Sequence, residues 1–153
     1  ILEREIKKYS STNIAQRRAL GELDHPDSSV VNLSNVSHNI LEVHWANDDV
    51  VGTVEILNTP AGKILKELFE AGITLGISSR GMGSVKNLGE NTVEVQDDFE
   101  LIAWDFVSNP STQGAFMSPV NESVSLMDMM NGNKYDKVNR IITDILISQN
   151  IKF

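Results

Sequence analysis

The spacing of apolar residues predicts short strands, with helices at two or three places. Ile1, Leu2, Ile6 and Tyr9 share one face of a helix, with Glu and Lys opposite, so residues 1–18 read as a helix and then a polar turn at Ser10-Ser11-Thr12-Asn13. Leu20 to Leu23 alternates like a short strand that ends before Pro26, and Asp27 to Asn35 is a polar loop. Ile40 to Trp45 and Val50 to Leu57 have high β-propensity and flank Asn47-Asp48-Asp49, a hairpin signal. Thr59 and Pro60 look like the N-cap and first turn of a helix. That helix carries Ile64, Leu65, Leu68 and Phe69 at helical spacing and stops before Gly72. Further strands are expected over Ile73–Gly81, Val93–Val95 and Phe99–Val107, the last closed by Asn109-Pro110. Residues 111–135 are loop-like and Met-rich, and Tyr135–Ile147 returns to helical spacing through Val138, Ile141, Ile142 and Ile145. Six or seven short strands and one clear central helix make an α+β reading, a compact antiparallel sheet or small barrel with flanking helices.

Composition narrows the function. The chain has 153 residues, one domain's worth, and 41% of them are hydrophobic, enough for a core without staples. The longest apolar run is Leu101-Ile102-Ala103-Trp104, far short of the roughly 20 residues of a membrane span. Neither a membrane nor, at a net charge of −8, a phosphate backbone is an expected partner. With no cysteine, thiol nucleophiles and Cys-ligated zinc are excluded. The opening helix has no capping residue before it, so the natural protein is expected to begin earlier.

Chemistry has few carriers. A hydrolase without Cys most simply uses Ser, His and a carboxylate. The histidines are His25, His38 and His44. Gly76-Ile77-Ser78-Ser79-Arg80-Gly81-Met82-Gly83 offers paired hydroxyls at the end of an apolar strand, followed by glycines whose N–H groups can point at a ligand. The plain alternative is an ordinary tight turn. Likewise His25, between Asp24 and Asp27, can be a surface histidine, and His44 a structural one. Asp105 interrupts an apolar strand, so it is either exposed or buried and paired. A metal site from His38, His44, Asp48 and Asp49 fits no standard spacing, and no metal or other cofactor is expected.

Four segments together resemble the prohead maturation proteases of T-even-type tailed phages, which are similar in turn to the herpesvirus assembly protease. They are Ala19 through Pro26, Trp45 through Val54, Gly76 through Gly83, and Trp104 through Ser111, in the family's order. The resemblance implies a herpesvirus-protease-like fold, a small, mainly antiparallel β-barrel surrounded by helices, with residues 1–153 as a single protease domain. It implies a serine endopeptidase that cleaves scaffold or core and capsid proteins inside the immature head, in the host bacterial cytoplasm. A homo-oligomer in the prohead is also expected.

On this resemblance His25 is the general base, Ser79 of Ser-x-Gly the nucleophile, and Asp105, 26 residues further on, the third member. The family varies at the third position among His, Glu and Asp. The backbone N–H groups of Arg80 and Gly81 would form the oxyanion hole. Ser78 stays open as the nucleophile, because neighbouring strand residues face opposite ways, and His38 as the base. The family favours cleavage after Glu in Ile/Leu-x-Glu. Matching tripeptides here are Ile1-Leu2-Glu3, Leu20-Gly21-Glu22, Leu65-Lys66-Glu67 and Leu88-Gly89-Glu90, which permit self-cleavage, most readily at an exposed terminus. Two other readings stand beside this one: a catalytically silent capsid-assembly module on the same fold, and an acidic β-domain that binds small ligands.

Overall fold

The computed structural model describes residues 1–89, 92–120 and 140–145, the last stretch by its backbone. Helix α1 (Leu2–Tyr9) buries Leu2, Glu5, Ile6 and Tyr9. Glu5 anchors it: its carboxylate accepts from the Leu101 backbone N–H at 3.1 Å and from Arg4 Nε at 3.0 Å. Burial pushes the Glu5 carboxyl up, but these donors more than offset it and hold it below its usual value. The polar turn expected at Ser10–Asn13 is a π-helical turn, Ser10–Ile14. The hydroxyls of Ser11 and Thr12 both donate to the Lys8 carbonyl, so they extend the helix rather than break it.

Strands β1 (Leu20–Glu22), β2 (Val36–Ala46) and β3 (Asp49–Ile56) pair antiparallel. Asn47 turns the β2–β3 hairpin with φ 58°, a left-handed conformation that Asn tolerates. Helix α2 (Pro60–Glu70) starts as its sequence predicts. Thr59 Oγ1 accepts from the Gly62 N–H at 3.0 Å and donates to the Val36 carbonyl, tying the cap to β2. Leu65 carries the helix into the core. Strand β4 (Gly76–Met82) pairs with β7 (Glu100–Val107), and β5 (Val85–Gly89) with β6 (Thr92–Val95), both antiparallel. The solvent-exposed β5 is a strand that apolar patterning does not reveal.

Two expectations about the tail and the barrel need correction. Residues Arg140–Ile145, predicted helical, form strand β9 between β3 and β8 (Met117–Val120). Ile141, Ile142 and Ile145 suit a helix face by spacing. They are also β-branched, and their register partners Val54, Thr53 and Val50 are β-branched as well, so strand pairing wins. The rest of the predicted helix, and Met127, Met129 and Met130, lie outside the described residues. Met117 fills core space.

The fold is mixed, with few helices and mainly antiparallel sheets, but the described strands form no closed barrel. One sheet has the order β1-β2-β3-β9-β8, and the β4–β7 and β5–β6 pairs are separate. Single bridges, Leu23 to Phe106 and Gly76 to Phe116, join the first sheet to the β4–β7 pair where a barrel would need full ladders. One apolar core joins them, built from Tyr9, Ile40, Val50, Val54, Leu65, Ile77, Trp104 and Phe106.

Candidate active site

The site forms where β1 runs out beside β7. The Asp24 N–H donates to the Phe106 carbonyl at 2.8 Å. Asp24 itself takes φ 70°, and its Oδ1 accepts from the His25 backbone N–H at 2.9 Å. This sharp turn lays the His25 ring against β7, with Nδ1 3.1 Å from Asp105 Oδ2. The two side chains differ in access to water: that of His25 is 38% exposed and that of Asp105 wholly buried.

Asp105 is held from three sides. Its Oδ1 accepts from the Glu22 backbone N–H at 2.9 Å and from an Arg80 terminal nitrogen at 3.1 Å. Its Oδ2 lies 2.8 Å from Arg80 Nε. Burial pushes the Asp105 carboxyl above its ordinary value, while the Glu22 N–H, Arg80 and His25 pull against that rise. Arg80 is almost as buried and spends its other donors nearby, on Glu22 Oε1 at 2.9 Å and the Ser28 carbonyl at 2.8 Å. Glu22 Oε1 also accepts from the Asn32 N–H at 3.0 Å, which fastens the loop after His25.

The paired serines part company on β4. Ser78 stands opposite Asp105 in the β4–β7 register, which puts it on the carboxylate's face, and is half-buried. Ser79 stands opposite Trp104 and is exposed. Of the two, Ser79 lines an open cleft of about 440 Å³, together with His25. Arg80, Gly81 and the apolar side chains of Met82, Val95, Phe99 and Ile102 complete much of its wall. The β4–β7 register shifts between Arg80 and Gly81, leaving Ile102 as the extra residue. Such a bulge interrupts the ladder beside the proposed oxyanion-hole residues.

The other histidines lie elsewhere. His38 is fully buried: its Nδ1 is 2.9 Å from Ser37 Oγ, its Nε2 is 2.9 Å from the Trp104 carbonyl oxygen, and its ring packs edge-on against Phe106. Burial drives its pKa down to about 4, against the pull of the Trp104 carbonyl. A Cβ at Gly21 would collide with that carbonyl and with the His38 ring, so only glycine fits the strand there. His38 is a core residue with both ring nitrogens engaged, and the alternative of His38 as base finds no cleft contact. His44 is exposed six residues further along β2, roughly 20 Å away at strand rise. The metal reading that joined these two rings to Asp48 and Asp49 therefore fails, and the described residues contain no cluster able to hold a metal ion.

Sequence reasoning missed the side chains of Glu22 and Arg80. The one signal was indirect: a carboxylate in the apolar run around Asp105 demands a partner. Which cation answers depends on contacts 58 and 25 residues apart in the chain.

A half-exposed imidazole backed by a buried carboxylate, at a cleft that also presents a serine hydroxyl, supplies the groups of an acyl-transfer hydrolase. Comparison with known proteins makes the assignment specific. A family model described as prohead core protein serine protease matches residues 1–125. The chain is 32% identical over 123 residues to the prohead core protein protease of Enterobacteria phage T4, covering 78% of this chain and 58% of that protein's length. The solved structure of the bacteriophage T4 capsid assembly protease, gp21, is similar with a TM-score of 0.66 and 31% identity, over 70% of this chain and 67% of that one. The chain belongs to the prohead core protein serine protease family.

Proposed function

We propose that this chain is the catalytic part of a serine endopeptidase that cleaves core, scaffold and capsid proteins during phage prohead maturation, inside the prohead in the host cytoplasm. One observation carries the chemistry: His25 contacts the buried Asp105 at 3.1 Å, and His25 and Ser79 share the wall of one cleft. His25 takes the Ser79 proton as the hydroxyl attacks the peptide carbonyl, and later gives it to the leaving amine. Asp105 fixes the ring tautomer and stabilises the imidazolium. The N–H groups of Arg80 and Gly81, beside the bulge, hold the oxyanion. No step calls on a metal or other cofactor.

The wider reading follows the family. It comprises kinship with the herpesvirus assembly protease, Glu-directed cleavage at Ile/Leu-x-Glu sites, self-cleavage, and assembly with further copies in the prohead. Of the chain's own tripeptides, Ile1-Leu2-Glu3 runs into α1 with Leu2 buried, so cutting there requires the helix to unwind.

The test is the full-length protein incubated with its cognate core protein. Ser79→Ala is expected to abolish cleavage with an unchanged circular dichroism spectrum. Ser78→Ala probes a second reading, in which Ser78 is the nucleophile because it stands opposite Asp105. Loss of cleavage in Ser78→Ala alone would move the role there. Wild-type protein that cuts nothing would favour a silent assembly module on the same fold.

A further inference from the structure

Three charges are buried together behind His25: the Glu22 and Asp105 carboxylates and the Arg80 guanidinium between them. Their formal sum is −1, from two acids and one base. Arg80 with Asp105 alone would be a neutral pair and would give the His25 ring little electrostatic support. Glu22 takes part of Arg80's positive charge through the 2.9 Å contact, and so leaves Asp105 with charge to spare for the imidazole. The same carboxylate receives the Asn32 N–H, while Arg80 holds the Ser28 carbonyl, so the group that sets the charge also anchors the loop flanking His25.

We propose that Glu22 is a positioning residue of this site: it keeps the buried network one negative charge in excess, an excess that protonated His25 neutralises. The proposal rests on the protease reading and deepens it. Each turnover makes an imidazolium at His25, so a fixed negative excess favours the transition state.

Glu22 comes from β1, Arg80 from β4 and Asp105 from β7. Asp24 and Asp27 stand on the His25 loop, the first occupied with the His25 backbone N–H and the second on the cleft wall. From α1 comes only the buried Tyr9 hydroxyl, which stays neutral because burial and Asp105 push it upward. His38, on β2, is neutral within the core.

The test compares the rate at which a fluorophosphonate labels the full-length protein at pH 6 and at pH 8. The amide oxygen of Glu22→Gln can still accept from the Asn32 N–H and from Arg80, so the variant loses the charge and the long 3.4 Å contact from Asn35 Nδ2. The label rate at pH 8 is expected to fall, because the imidazolium is less stabilised. The ratio of the rates at pH 6 and pH 8 is expected to rise roughly three- to ten-fold, because losing a nearby negative charge disfavours the protonated ring. A loosened loop would lower both rates and leave the ratio alone. Glu22→Asp keeps the charge and should keep the wild-type ratio. Asn32→Asp adds a negative charge beside Glu22, retains the acceptor for the Ser34 N–H, and should lower the ratio. An unchanged ratio in folded Glu22→Gln, or a raised one in Asn32→Asp, overturns the proposal. Imidazole NMR signals of His25, followed through the same pH range in wild type and Glu22→Gln, read the coupling without catalysis. If the wild type takes no label, the protease reading fails, and the NMR comparison still decides whether Glu22 controls the ring.

Discussion

Two histidines meet β7 at neighbouring residues and end in opposite conditions. His38 reaches the carbonyl oxygen of Trp104, and His25 reaches the carboxylate of Asp105. His38 is sealed among Ser37, Phe106 and Gly21, where a charge has no counter-ion and water no access. His25 has water on one side and a buried negative network on the other. A ring that must gain and lose a proton in every cycle needs the second environment. A ring that braces β2 against β7 is best kept neutral in the first. In the protease reading, the same side chain thus serves packing or chemistry according to which face of β7 it meets.

The largest effects should come from the cleft side. In the protease reading, His25→Ala is expected to lower kcat by about three orders of magnitude or more while the thermal unfolding midpoint barely moves. His38→Ala should do the reverse, unfolding the protein before it alters the chemistry. Comparable loss of cleavage in a folded His38→Ala protein would erase the distinction.

Removing the cation that joins the network should come next. Arg80→Met leaves two buried carboxylates without the cation they share, and urea denaturation should show a loss of about 3–5 kcal/mol. A loss under 1 kcal/mol would mean that water reaches the network and screens it.

The sealed ring makes a pH prediction of smaller size. His38 in the folded state protonates only near pH 4, whereas an unfolded histidine does so near 6.5. Between those values the unfolded chain binds more protons than the native one, so stability falls as pH drops from about 6.5 towards 4. This group's share of the fall reaches roughly 3 kcal/mol. Denaturation curves at pH 7 and pH 4.5, taken on the wild type and on a folded His38→Gln variant, should show the variant losing less stability over that interval. Equal losses would mean that the ring is not held neutral.

The smallest effect is expected at α2. Thr59→Ala removes the acceptor for the Gly62 N–H and the tie to the Val36 carbonyl, at a cost of about 1–2 kcal/mol by chemical denaturation, with cleavage unaffected.

How far these regions can be read in the sequence depends on how local their determinants are. Thr59, Pro60 and Gly72 mark the ends of α2 because each acts within a few residues of itself. The β2–β3 hairpin is legible for the same reason. Strand β9 is not, since Ile141, Ile142 and Ile145 fit a helix face as well as a ladder and the arbiter is β3, some ninety positions away in the chain. The candidate site divides similarly. The Ser78-Ser79-Arg80-Gly81 segment and the lone carboxylate of Asp105 can be singled out as chemistry in search of partners. That His25 is the histidine beside Asp105 came from a family likeness, and that Arg80 bridges Glu22 and Asp105 came from neither source. Such pairings are made by folding, not by spacing.

In the protease reading, Ser79 is the hydroxyl that His25 activates. Fluorophosphonate labelling of the full-length protein, followed by peptide mass spectrometry, tests this most directly. The adduct is expected on Ser79 and should disappear in His25→Ala. An adduct on Ser78, or labelling of Ser79 that persists undiminished without the His25 ring, would contradict it.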